Sequence, residues 1–143
     1  MSTENLSPLF HDAIDDFGHA LEHAKVGKEI DNKYAIIHAA TAVELLLKEK
    51  IRSMGLPIFK KKPPYHSLHF YECISLLQNR EAHIPQQTNI VLLHEERNVC
   101  LHLAGKPDKI KTQWLLGVAQ RFMSEFCGEA FDINVNYFLP LHV

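Results

Sequence analysis

Between His94 and Leu103 the chain reads His-Glu-Glu-Arg-Asn-Val-Cys-Leu-His-Leu, where polar residues occupy a helix that otherwise reads as core. Arg97 and His102 are the residues in it whose types suit chemistry. A guanidinium keeps its charge and can hold a phosphate, while an imidazole titrates near neutrality and moves protons. Together they fit RNA cleavage without a metal. Histidine would move protons to or from the 2′-hydroxyl or the leaving oxygen, and arginine would stabilise charge on the pentacoordinate phosphorus. Asn98 can orient either the phosphate or the histidine. His102 also sits three residues before Gly105, in a last helical turn whose carbonyl ends favour positive charge.

On a helical wheel, Leu92, Leu93, Val99, Cys100 and Leu103 form an apolar arc of about 120° expected to face a core. Glu96 falls near the middle of that arc, which predicts a structural carboxylate paired with an arginine or with backbone donors. His94, Asn98 and His102, four apart, form a polar stripe expected to be exposed. Arg97 lies beside the stripe. Five residues separate Arg97 from His102, hence about 140° around the axis, too far for one ideal helix to grip one small group. Either the helix is distorted or a second copy completes the site.

The elements that must position these residues are helical. Ser7 and Pro8 start a first helix, with Phe10, Ala13, Ile14, Phe17, Ala20, Leu21 and Ala24 at helical spacing and Gly27 as its stop. Asp31 is the expected cap of a second helix running to about Met54, on the order of 34 Å long, a length that suits a bundle. The segment from Leu56 to His66 carries three prolines and Lys60, Lys61 and Lys62, which predicts a loop, read as a solvated connector ahead of a phosphate contact. A shorter helix follows from Ser67 to about Asn79, and a fourth from Gln87 to Ala104 with Gly105 as its end signal. Pro107 and Asp108 start a fifth, with Ile110, Trp114, Leu115, Val118, Phe122, Phe126 and Ala130 as its apolar stripe; Trp114 is expected in the core rather than as a base-stacking platform. The apolar tail from Asn134 to Val143 is expected to dock on the bundle or on a partner. No repeat and no hairpin signal appears, so the expected fold is all-α, an antiparallel four- to five-helix bundle forming a single domain over residues 1–143.

Composition narrows the function classes. The 143 residues carry a formal net charge of −2, with 46% hydrophobic and 22% charged residues, ordinary for a globular chain. That charge does not suit a protein that coats nucleic acid, so any RNA contact is expected to be local, at Lys60 to Lys62 or just past the motif at Lys106, Lys109 and Lys111. Cys73, Cys100 and Cys127 read as buried thiols in a reducing compartment. No stretch approaches a membrane span and the N-terminus has no leader-like run, so the expected location is cytoplasmic. His11, Asp15, His19, Glu22 and His23 share one side of the first helix, but nothing supplies further ligands, and a solvated polar face is expected there rather than a metal site. No cofactor is implied.

The second-helix segment His38-Ala-Ala-Thr-Ala-Val-Glu44-Leu-Leu-Leu-Lys48, the segment Ser67-Leu-x-Phe-x-Glu-x-Ile-x-x-Leu77 and the string Arg97-Asn98-x-x-x-His102 together resemble the HEPN (higher eukaryotes and prokaryotes nucleotide-binding) superfamily. The resemblance covers about two-thirds of the chain, from the second helix to the fifth. It implies a four- to five-helix bundle acting as a homodimer, with Arg97 and His102 in the catalytic roles, Asn98 and Glu44 in support, and metal-independent RNA cleavage in a composite cleft. It further implies a toxin or phage-defence effector, often beside a nucleotidyltransferase antitoxin. Some members are non-catalytic interaction modules, and that alternative stands. From the residues alone, Glu44 is equally well read as an i,i+4 pair with Lys48.

Overall fold

The computed structural model describes residues 6–59, 63 and 66–139. Its helices are α1 (Pro8–Val26), α2 (Glu29–Ser53), α3 (Phe70–Asn79), α4 (Gln87–His102) and α5 (Lys109–Phe131), followed by a 3-10 turn at Val135–Tyr137. Among the described residues the strand-like pairing is confined to one antiparallel bridge between Phe59 and Ser67. The chain is therefore all-α, a packed helical bundle, and no described helix is long and apolar enough to cross a membrane.

α2 is the central element, packing against α1, α3, α4 and α5. Ala35, Ile36, Ala39, Ala42, Val43, Leu46, Leu47 and Ile51 are all buried, so its surface is covered on most sides. Small alanines let the neighbouring helices approach closely. The polar residues that share this covered stretch must find partners, because an unpaired buried charge is costly. Glu49, with no exposed surface, accepts from the Ser7 backbone N–H at 3.0 Å, from the Ser7 hydroxyl and from Arg52 Nε at 2.6 Å. Ser7 in turn caps α1 by accepting from the Leu9 N–H at 3.2 Å. A carboxylate inside α2 thus fixes where α1 begins.

Helix ends depart from expectation where side chains have other work. α2 begins at Glu29 rather than after Asp31; Asp31 lies in the first turn, where its carboxylate accepts from the Lys28 N–H at 3.3 Å and meets His23 Nδ1 at 2.8 Å. α3 begins at Phe70 rather than Ser67, because Ser67 is held in the bridge to Phe59 and Glu72 accepts from the His69 N–H at 2.8 Å. α4 ends at His102, and Ala104, not Gly105, takes the left-handed conformation, at φ 53°. Gly105 is needed for space instead, since a Cβ there would lie 2.6 Å from Val99 Cγ1.

Two apolar faces are turned from where periodicity put them. Residues spaced strictly by four drift about 40° per step, so Ile110 and Phe126 end on opposite sides of α5. Ile110 is 80% exposed and Trp114 48% exposed, neither of them in the core. On α4 the buried residues are Ile90, Leu93, His94 and Cys100, while Leu92 and Leu103 are exposed. Glu96 is consequently not a core anchor; it sits at the border and faces Lys111 of α5 at 3.6 Å.

The tail docks on the bundle as far as it is described: Ile133 and Val135 are buried, and Phe138 meets Phe10 edge-on at 5.8 Å. Residues 140–143 lie outside the described residues. The three cysteines are free and buried, and burial pushes the Cys73 and Cys127 thiols up to about 12. The polar side of α1 is partly packed rather than solvated. His23 stacks on His38 of α2 at 5.6 Å, and His38 Nδ1 lies 3.2 Å from Asp16. No group of three or more His, Cys, Asp or Glu side chains among the described residues is arranged to hold a metal ion.

If Glu49 anchors α1, Glu49→Ala lowers the unfolding free energy by about 3 kcal/mol in urea denaturation, against about 1 kcal/mol for Ser7→Ala. A Glu49→Ala loss no larger than that of Ser7→Ala overturns the anchoring role.

Candidate functional site

A cleft of about 480 Å³ opens between α4, the middle of α2 and the segment leading into α3, lined by Glu44, His66, Ser67, His69, Tyr71, His94, Arg97, Asn98 and His102 among others. Glu44, Arg97, Asn98 and His102, drawn from two helices distant in sequence, are thus brought to one place. Lys106 is not part of this lining; its ammonium lies 3.5 Å from Glu29, at the start of α2. Lys60, Lys61 and Lys62 lie outside the described residues. A larger hollow of about 730 Å³ beside the C-terminal turn is lined by residues such as Ser124, Asp132 and Asn136, with no imidazole, thiol or cation among the described residues that line it.

Lys48, expected from the sequence only as an i,i+4 partner of Glu44, ties together two residues that line the cleft. Its buried ammonium donates to Glu44 Oε2 at 3.1 Å and to Ser67 Oγ at 3.1 Å. One interaction holds the carboxylate on α2 and the other ties down the segment that forms the opposite wall. A buried ion pair adds little net stability by itself, but it fixes geometry when further hydrogen bonds satisfy the ammonium. The pairing reading of Glu44 and its presence at the cleft are therefore compatible.

α4 runs without a break from Gln87 to His102, so no helix distortion brings Arg97 toward His102. The cleft is instead broad enough to be lined by both, Arg97 half-buried and His102 exposed at the helix end.

His94 is the largest departure from the expected polar stripe. It is 9% exposed, and its ring stacks on Phe70 at 4.2 Å with 8° between planes, while Tyr71 meets it edge-on at 5.3 Å. Asn98 Nδ2 lies 3.4 Å from His94 Nε2. Burial lowers the His94 pKa from its ordinary value; Glu44 and Glu95 oppose the shift and Arg97 adds to it. The ring is accordingly held neutral as an aromatic packing unit. Periodicity missed it because histidine was counted as polar, yet an imidazole has a flat apolar body that stacks well. Tyr71, half out of the cleft, reaches Glu95 Oε1 with its hydroxyl at 3.4 Å. His66 falls at the end of the expected loop and His69 in the expected third helix, and no spacing pattern joins either to α4. Among the described residues the cleft therefore gathers four imidazoles and one guanidinium.

A lowered His94 pKa has a stability consequence with a definite sign. Above about pH 6.5 the ring is neutral folded and unfolded, and protonation adds no cost. Below it the unfolded chain takes up a proton that the folded chain resists, so His94 subtracts stability as pH falls, until the folded ring also protonates. His94→Phe keeps the stack and removes the proton. The Tm of His94→Phe relative to wild type should therefore rise between pH 7 and pH 5, and a constant difference contradicts the burial effect.

No family model matches the chain, and no curated protein or solved structure matches it.

Proposed function

We propose that the chain is a metal-independent endoribonuclease of the HEPN type, acting as a homodimer in which Arg97 and His102 carry the chemistry. The observation that carries the reading is the convergence of Glu44, Arg97, Asn98 and His102 on one cleft. The 2′-hydroxyl oxygen attacks the adjacent phosphorus, the bond to the 5′-oxygen breaks, and the products are a 2′,3′-cyclic phosphate and a 5′-hydroxyl. Two proton movements are needed, one from the nucleophile and one to the leaving oxygen. Arg97 would hold the phosphoryl oxygens as negative charge accumulates. His102 from each of two chains would supply the two proton-transfer groups. Such an activity fits a toxin or a phage-defence effector controlled by an antitoxin, of which a nucleotidyltransferase-type partner is one form.

Self-association has its own support. Leu92, Val99, Trp114 and Leu115 line a shallow groove between α4 and α5, of which Leu92 and Trp114 are exposed. Exposed apolar patches of this kind mark interaction surfaces. Glu95 and Glu96 on the α4 side and Lys111 on the α5 side, the last two 3.6 Å apart, give the groove a polar rim of both signs. The patch adjoins the cleft through α4. A second reading draws on the same face: a catalytically silent module that binds another chain there.

Purified protein incubated with RNA in EDTA should release fragments ending in cyclic phosphate, and Arg97→Ala or His102→Ala should slow this by roughly a hundred-fold or more. Intact RNA with wild type sinks the nuclease reading and leaves the silent module, and cleavage only with added metal sinks the metal-independent mechanism. For the dimer, sedimentation should give the mass of two chains for wild type and of one chain for Trp114→Glu. A wild-type monomer refutes the composite site.

A further inference from the structure

Of the four imidazoles lining the cleft, His66, His69 and His102 are exposed and His94 alone is buried. His94 also begins a series, His94, Asn98 and His102, in which each residue lies one helical turn from the next on unbroken α4. Residues four apart on a helix are side-chain neighbours, with about 5–6 Å between their Cβ atoms. The first step of the series is made: the Asn98 amide donates from Nδ2 to His94 Nε2, 3.4 Å away. A ring that accepts at Nε2 is neutral and carries its hydrogen on Nδ1. Because the amide turns its nitrogen toward His94, its oxygen is left for a donor elsewhere in the cleft.

We propose that His94 is a positioning residue that acts through Asn98: by accepting from the amide it aims Asn98 Oδ1 toward His102, which donates one ring N–H to it and presents its other nitrogen to the cleft. The assignment of His102 to proton transfer rests on the nuclease reading above; the link from His94 to His102 does not. The logic is that of any imidazole whose reactive nitrogen is set by the hydrogen bond made at the other. His94 suits the first place in the relay because the Phe70 stack and the Tyr71 edge hold its ring at a fixed angle. Protonated His94 can no longer accept. Its Nε2–H would attract Oδ1 instead, and the amide would have to turn over, withdrawing the acceptor from His102.

The charged and titratable groups around His94 come from three helices. Glu44, paired with Lys48, faces it from α2, Tyr71 from α3, and Glu95 and Arg97 from its own α4. Burial dominates these and favours the neutral ring, so the accepting state is the one present at neutral pH. His66, His69 and His102 line the same cleft, so comparison of variants isolates His94.

The direct test is the ring-nitrogen NMR spectrum of full-length protein. In wild type at pH 7, His102 should show one dominant tautomer; in His94→Phe and in Asn98→Ala it should show the same altered mixture, and the double variant should add nothing. The His102 and Asn98 amide signals should also shift with the midpoint at which His94 titrates. An unchanged His102 tautomer in His94→Phe overturns the relay. In RNA cleavage, His94→Phe should lower kcat roughly ten-fold with KM little changed, and His94→Gln, whose amide oxygen can accept, should recover most of the loss. Losses of His94→Phe and Asn98→Ala that multiply, rather than coincide, also overturn it. Wild type that leaves RNA intact removes the nuclease reading, while the spectra still decide the relay.

Discussion

The structure depends on the enclosure of α2. A helix packed against four others buries some of its polar side chains, Lys48 and Glu49 among them, and those must be matched by specific partners. Glu49 is matched by the start of α1, and Lys48 by Glu44 and by Ser67 at the opposite wall of the cleft. One charged turn of α2 therefore sets both the entry of the chain into the bundle and the width of the candidate site. The apolar residues around it supply the driving force, but they do not discriminate between small shifts of one helix along another. The hydrogen bonds do, because a shift that breaks them strands a charge.

α4 is where packing and chemistry meet. Its buried side is completed by an imidazole stacked on Phe70, which turns the helix about a quarter-turn from the orientation its leucines suggest. Two consequences follow from the one rotation. Arg97, Asn98 and His102 line a cleft against α2 and the α3 approach, and Leu92 and Val99 are left lining an apolar groove on the α5 side. A cleft and an exposed apolar strip on adjoining sides of one helix are the arrangement that the proposed two-chain site requires. The proposed relay from His94 to His102 uses the same helix lengthwise, joining its packed side to its exposed end.

Much of the fold was legible from local physics. Ser7 with Pro8, Gly27, and Asp108, which accepts from the Lys111 N–H at 2.7 Å, terminate helices where their chemistry says they should. Errors arose where a residue had two uses. Asp31 could cap α2 or sit inside its first turn and bind His23; His94 could be solvated or stacked; Ile110 and Trp114 could continue the core stripe of α5 or face outward. In each case the local pattern was degenerate, and a partner distant in sequence broke the tie.

The sequence by itself determined the element types, their approximate limits and the residues whose chemistry could matter, since periodicity, capping and side-chain ionisation are local properties. Only the tertiary structure decided which of those residues meet. The convergence of Glu44 with Arg97, Asn98 and His102, the role of Lys48 as a buried tie and the burial of His94 depend on how α2, α3 and α4 are set against one another. That setting is fixed by long-range packing and by the need to satisfy buried charge, neither of which is written in the spacing of residues along a single helix.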